Sequence, residues 1–319
     1  VKQKIKDFIR KDFKERVNGV FTLSNLQDND IKKRFNTIKY KYSSIYQEFQ
    51  NTQDTLDTKS IGYDWGSWSG KIRETFKSSV PIDFLSNPLI SMTMVFKRIS
   101  GVKETEDRIK LLETVFNEQK LKKLIVEDYI GKPTISNAKY KTSANRTHHA
   151  SHLSFYKKAI NENFWETNTI VEFGGGYGNM ARILRKMNPN LTYIIIDLPE
   201  LLSLQYIYLG SLEQEENLNI INEKNLNIVQ NKINLVSSEL IYSNKINIAT
   251  DSFISTWALS ESPDYLQEFV VKKNFFNAKR LLLASYIDDN NKLNKIINFN
   301  DIEKVKVPFL SGEHEYWLR

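Results

Sequence analysis

The stretch Ile170-Val171-Glu172-Phe173-Gly174-Gly175-Gly176-Tyr177-Gly178-Asn179-Met180 reads as strand, glycine turn and helix. Two β-branched residues run into an acid, then into glycines at alternate positions, Gly174, Gly176 and Gly178, with Gly175 between. Met180, Ile183, Leu184 and Met187 follow at i, i+3, i+4 and i+7, the apolar stripe of an amphipathic helix. Glycines gather where the backbone must enter conformations closed to other residues, or where a ligand leaves no room for a Cβ. A helix start behind them offers unpaired N–H groups and a positive dipole end.

Downstream, apolar strands alternate with helices. Residues 192–196 form a buried strand closed by Asp197, and Pro199 opens a helix over 201–209. Short apolar runs at 233–236, 253–257 and 280–287 continue the alternation, and 305–307 with 316–318, around Ser311-Gly312, suggest a closing hairpin. Such alternation argues a mostly parallel sheet covered on both faces. In that architecture a ligand sits beyond the carboxyl ends of the strands, where strand order reverses. The dinucleotide code Gly-x-Gly-x-x-Gly fails in both registers: from Gly174 its third glycine falls on Asn179, and from Gly175 its second falls on Tyr177. What fits is acid-x-Gly-x-Gly-x-Gly over 172–178, with Asp197 able to accept hydrogen bonds from both hydroxyls of a ribose.

These segments resemble motif I and the second motif of the class I S-adenosylmethionine-dependent methyltransferases, over roughly residues 151–319. The resemblance implies a Rossmann-like α/β sheet, mostly parallel, of seven strands with a C-terminal antiparallel hairpin. It implies S-adenosyl-L-methionine as cofactor, with Gly174, Gly175, Gly176 and Gly178 against its methionine part. Glu172 would fix the loop or the amino group, Asp197 take the ribose hydroxyls, and Leu198 border the adenine. Thr256 and Trp257 would edge the cofactor, and Ser238 stands where many such enzymes carry an acid or Asn near the adenine. More narrowly, Val-Glu-Phe-Gly-Gly-Gly-Tyr-Gly, Ile-Asp-Leu-Pro-Glu-Leu-Leu and Ser-Thr-Trp-Ala-Leu-Ser-Glu are similar to a bacterial family of sugar O-methyltransferases tied to surface polysaccharides. That implies a sugar or nucleotide-sugar acceptor.

Methyl transfer to oxygen requires a group that takes the proton of the acceptor hydroxyl. Three of the four histidines cluster at His148, His149 and His152, just before the glycine motif. His149 or His148 is a candidate base, against the alternative of capping or core histidines. Glu261, in the loop after 253–257, is the second candidate, as base or as partner of a sugar hydroxyl. His314 reads as a turn residue within reach of the site. Asp288-Asp289 raises a divalent-metal option, though a solvated loop is the preferred reading and no metal is expected.

The first half has a different character. Residues 1–150 hold 28 Lys and Arg against 18 Asp and Glu, whereas 151–319 hold 17 against 20. Its stripes (Ile5, Phe8, Ile9, Phe13, Val17; then Ile31, Phe35, Ile38, Tyr42, Ile45, Phe49) are helical, the second a single long helix with a seam suited to a partner helix. Residues 62–70, with Tyr63, Trp65 and Trp68 among glycines, read as an aromatic loop able to stack on a sugar or base. Helices are expected over 88–100, 104–117, 118–130 and 151–162, with a connecting loop over 131–147. The resulting division is a helical substrate or oligomerisation region, 1–147, and a cofactor-binding domain, 148–319. No apolar run approaches the ~20 residues needed to span a bilayer, cysteine is absent, and no signal core is present near Val1, so a cytoplasmic protein is expected. Peripheral membrane contact stays open. Two rival readings remain: a nucleic-acid methyltransferase using the basic half, and a non-catalytic domain whose helices bind a partner. Against the first, acids intersperse the basic residues, and no nucleic-acid partner is expected.

Overall fold

The computed structural model describes residues 28–50, 65–95, 101–287, 292–308, 310 and 313–319. The stripe from Ile5 to Val17, Tyr63, Asp288-Asp289 and Ser311-Gly312 lie outside the described residues. One eight-stranded sheet organises the chain: β1 (Thr169–Phe173), β2 (Thr192–Asp197), β3 (Leu218–Ile221), β4 (Ile233–Ser237), β5 (Ser252–Thr256), β6 (Arg280–Tyr286), β7 (Glu303–Lys306) and β8 (His314–Leu318). Their order is β3-β4-β2-β1-β5-β6-β8-β7. Strands β1 to β6 run parallel, and β8 lies antiparallel to both β6 and β7. This is a Rossmann-like sheet with the expected antiparallel hairpin, and eight strands rather than seven. The additional one, β3, is an edge strand in which Leu218 and Ile221 are buried among Asn and Glu. Its apolar signal is too short and too diluted to stand out in the sequence.

Alternation along each strand divides the core between two faces. Ile170, Tyr193, Ile195, Leu235, Ile254 and Leu282 pack with the helices Ala144–Ile160, Asn179–Met187 and Pro199–Glu213. Val171, Ile194, Ile196, Val236, Phe253 and Leu283 pack on the other side with Leu266, Val270 and Phe275. The helical first half belongs to the first of these clusters. Its second stripe is two helices, Asp28–Ile38 and Tyr42–Phe49, broken at Lys39, Tyr40 and Lys41, rather than one. Phe35, Ile38, Tyr42, Ile45 and Phe49 are buried as the period requires. Their seam packs on Pro199–Glu213 of the same chain, where Arg34 Nε donates to Ser211 O at 2.9 Å and the Tyr42 hydroxyl to Glu200 O at 3.0 Å. Residues 65–70, expected as loop, begin the helix Trp65–Phe76.

The helix before β1 starts at Ala144 rather than at 151, capped by Ser143 Oγ on Arg146 N, so position 147/148 falls within it. Its sequence carries few apolar residues because polar ones are buried instead. Arg146, fully buried, pairs with Glu127 at 2.8 Å and Asp128 at 2.9 Å. Asp128 also holds Arg182 at 2.9 Å and Lys186 at 3.4 Å. Burial alone would raise the Asp128 carboxyl, but Arg182, Lys186 and Arg146 hold it well below its usual range. Removing one partner of such a buried group strands the others. Asp128→Asn is expected to destabilise the fold by ~3 kcal/mol, read as a lower midpoint in guanidinium denaturation.

Candidate active site

Phe173, Asp197, Ser237, Thr256 and Tyr286 end strands β1, β2, β4, β5 and β6, and these carboxyl ends open onto one cavity of ≈ 440 Å³. β1 stands between β2 and β5, so the connections leave it in opposite directions and the crevice forms there. Gly174, Gly175 and Gly176 line it, with Glu172, Asp197, Leu198, Ser238, Thr256, Trp257, His148, His149 and Glu261. Thus twelve of the thirteen site residues named from the sequence meet in one place.

Gly178 is the exception, absent from the lining. It caps the helix Asn179–Met187 at φ +97°, and a Cβ there would come within 3.0 Å of the Leu209 side chain. Its glycine serves backbone conformation and helix packing rather than a ligand. Gly176, at φ +56°, differs: its Cβ would meet only Met94, at 3.9 Å, and would otherwise enter the cavity. A Cβ on Gly174 would strike Ala258 at 2.0 Å and one on Gly175 would strike Ile195 at 2.8 Å, so of the glycines lining the crevice Gly176 is the one whose bare backbone leaves room for a ligand.

The carboxylates are held apart from water. Glu172 is 3% exposed and accepts a hydrogen bond from the Tyr193 hydroxyl at 2.9 Å; burial pushes its carboxyl up to about 8. Asp197 accepts from Leu198 N and from Gln205 Nε2, each at 2.8 Å, and burial raises it to about 7. Gln205 Nε2 donates also to Gly176 O at 2.9 Å, so one amide ties the glycine turn to the acid of the next strand. Glu261 is raised by burial to about 6, moderated by hydrogen bonds from the Trp65 and Tyr286 side chains.

The histidines are held the other way. His148 stacks on the Trp257 ring with centroids 5.6 Å apart, and burial pushes it well below its usual range. His149 is lowered by burial to about 3, and its Nδ1 lies 3.0 Å from Asn179 Nδ2. So low a value makes His149 a weak proton acceptor, a physical reason to prefer Glu261 over it as base. His152 is fully buried away from the cavity, bonded to the Tyr316 hydroxyl at 2.5 Å. His314 is the first residue of β8 rather than a turn residue, lines the cavity, and accepts from Trp257 Nε1 at 3.0 Å. Trp257 itself sits at φ +66°, ψ −33°, a conformation that costs a bulky residue energy and is found where function demands it.

Sequence reading missed Glu239, Gln205, Asn145, Asn179 and Tyr286. Glu239 follows Ser238 directly in the helix Ser238–Tyr242 and lines the cavity, so the acid sought near Ser237-Ser238 lies one residue further on. Gln205 sits among buried leucines at no recognisable spacing. Trp65 lines the cavity, whereas Trp68 lies outside the lining, beneath the Lys71 ammonium at 5.2 Å. Among the described residues no cluster of three or more His, Cys, Asp or Glu is arranged to hold a metal ion. None of their helices is long and apolar enough to cross a membrane.

No family model and no curated protein matches the chain. Among solved structures, it is similar to the S-adenosylmethionine-dependent methyltransferase SibL in its apo form, at 11% identity over 72% of this chain and 70% of that one, TM-score 0.35. PigF with SAH is similar at 12% identity over 50% of this chain and 58% of its own, TM-score 0.34. Magnesium protoporphyrin IX methyltransferase from Synechocystis, with bound SAM, is similar at 12% identity over 68% of this chain and 96% of its own, TM-score 0.37. At these values the likenesses carry no functional assignment.

Glu172 has a testable signature. Its folded value of about 8 exceeds the ordinary 4.5, so the folded chain holds a proton that the unfolded chain releases. The stability this confers is complete below about pH 4.5 and is lost as pH rises through 8. Relative to Glu172→Gln, which stays neutral, wild-type stability should fall between pH 5 and 9 by up to ~1.4 kcal/mol per pH unit, measured by denaturant unfolding at each pH.

Proposed function

We propose that this chain is an S-adenosylmethionine-dependent O-methyltransferase acting on a hydroxyl of a sugar in a bacterial surface glycan. The observation that carries the reading is the junction at the strand ends: a bare glycine turn, the buried Asp197 carboxylate beside it, and Glu261 across the same cavity. The donor fits the residues present. Gly176 leaves room against the backbone, Asp197 is placed to accept from a ribose diol, and Ile196, Leu198 and Leu201 supply an apolar wall for a base, with Ser238 and Glu239 at its edge. When bound, S-adenosylmethionine supplies a methyl group on a sulfonium, an electrophile that needs no further activation.

The chain's own task is then alignment and proton removal. Glu261 takes the hydroxyl proton as the oxygen attacks; its value of about 6 keeps it ionised at neutral pH while still basic enough to accept. The side chains of Trp65, Tyr286 and Trp257 exclude water around it. The sugar assignment is supported by the three sequence blocks quoted above together with an aromatic, carboxylate-bearing acceptor end.

Calorimetry with S-adenosylhomocysteine tests the donor reading: binding is expected, Asp197→Ala weakens it at least ~10-fold, and a folded chain that ignores the ligand removes the assignment. Glu261→Gln should retain that binding while losing at least ~100-fold in kcat. In the wild type, kcat/KM should rise as pH increases through about 6, because the base works only when ionised. A flat profile between pH 5 and 7 assigns the base elsewhere.

A further inference from the structure

Across the sheet, Asp197 on β2 and Tyr286 on β6 are separated by β1 and β5, three strand spacings or about 14 Å. The cavity thus has a donor end at Asp197 and Ser238 and a distant end built by Trp65, Trp257, Glu261, Tyr286 and His314. At that distant end Glu261 accepts hydrogen bonds from the Trp65 and Tyr286 side chains, one from the helix Trp65–Phe76 and one from β6. Aromatic faces match the C–H face of a sugar ring, and a carboxylate matches its hydroxyls.

The charges lining the cavity narrow the acceptor further. On the described lining the acids are Glu172, Asp197, Glu239 and Glu261 and the bases are histidines alone, His148, His149 and His314, with no Lys or Arg among them. Burial keeps His148 and His149 neutral at physiological pH and moves Glu172 and Asp197 toward neutrality as well, while His314 Nδ1 is taken up by the Trp257 indole N–H. A phosphate on the reacting sugar would enter a partly desolvated cleft with no Lys or Arg on its described lining to pair with it and with Glu261, ionised at neutral pH, close by. A neutral ring meets no such barrier.

Resting on the methyltransferase reading above, we infer that the acceptor is a neutral glycoside rather than a sugar phosphate or nucleotide-sugar. Trp65 and Tyr286 are positioning residues that hold Glu261 toward its hydroxyl. The full chain is offered a methyl hexoside, a neutral oligosaccharide of the same hexose, its 1-phosphate and its nucleoside-diphosphate form. Methyl transfer is followed from labelled donor, with S-adenosylhomocysteine calorimetry on the same sample. Neutral members should be turned over at least ~10-fold faster in kcat/KM than phosphorylated ones. Trp65→Phe and Tyr286→Phe each remove a donor to Glu261, so each should move the acidic limb of kcat/KM to higher pH and leave S-adenosylhomocysteine affinity intact. Equal or better use of a phosphorylated member overturns the inference, as does transfer to no neutral glycoside by a chain that binds S-adenosylhomocysteine. Failure to bind S-adenosylhomocysteine overturns the donor reading, and this inference with it.

Discussion

The structure turns on a cluster of ions sealed between four segments. Glu127 and Asp128 come from the loop after Glu118–Ile125, Arg146 from the helix before β1, Arg182, Arg185 and Lys186 from the helix after the glycine turn, and Glu213 from the end of Pro199–Glu213. Four bases face three acids. Burial lowers Lys186 to about 7, which brings the cluster close to neutrality. Ions so deep repay their desolvation only when the geometry is nearly complete. The four segments therefore have one arrangement available to them, which fixes the histidine helix against the glycine helix and sets His149 beside Asn179. The glycine turn lies directly upstream of those arginines, so the clasp also sets the floor of the cavity.

Within the cavity, burial acts on acids and imidazoles in opposite directions, and both move toward neutrality. Glu172 rises to about 8, Asp197 to about 7 and Glu261 to about 6, while His149 falls to about 3. The order among the acids follows their depth and not the number of their donors, since Asp197 accepts from Leu198, Gln205, Gly175 and Gly176 yet stands above Glu261. Glu172, with one hydroxyl donor and nearly no exposure, is the hardest to ionise. Glu261, half-buried, is the easiest. A positively charged ligand among these groups would favour their ionised forms, so its arrival would lower all three values and sharpen the contrast with any anion.

The sheet was legible because β1, β2 and β6 are continuous apolar runs, and the glycine turn because four glycines in five positions have few other uses. Twelve of the expected residues gather at one cavity because most stand at or just beyond the carboxyl end of a strand, while His148 and His149 arrive on the helix before β1. The remainder depended on distance in sequence. Tyr286 and Trp65 are far apart in the chain, and nothing local says that both reach Glu261. Gln205 looks like one polar residue in a leucine-rich helix until its amide is seen bridging Gly176 O and Asp197. The two-helix break at Lys39, Tyr40 and Lys41 was invisible because apolar steps of three and four continue across it.

The antiparallel hairpin has a consequence for the site that a fully parallel sheet would not allow. In a parallel sheet every strand brings its last residue to the crevice. β8 runs the other way, so its first residue arrives there, with His314 in register opposite Tyr286. His314 then receives the Trp257 indole N–H, and its ring lies 4.7 Å from that of Tyr286. Trp257 is thereby gripped on two sides, by His314 at its edge and by His148 across its face. Those contacts hold the ring of a tryptophan that sits at φ +66° against the cavity wall. Reversing one strand is what lets the end of the chain complete a cavity begun by its middle.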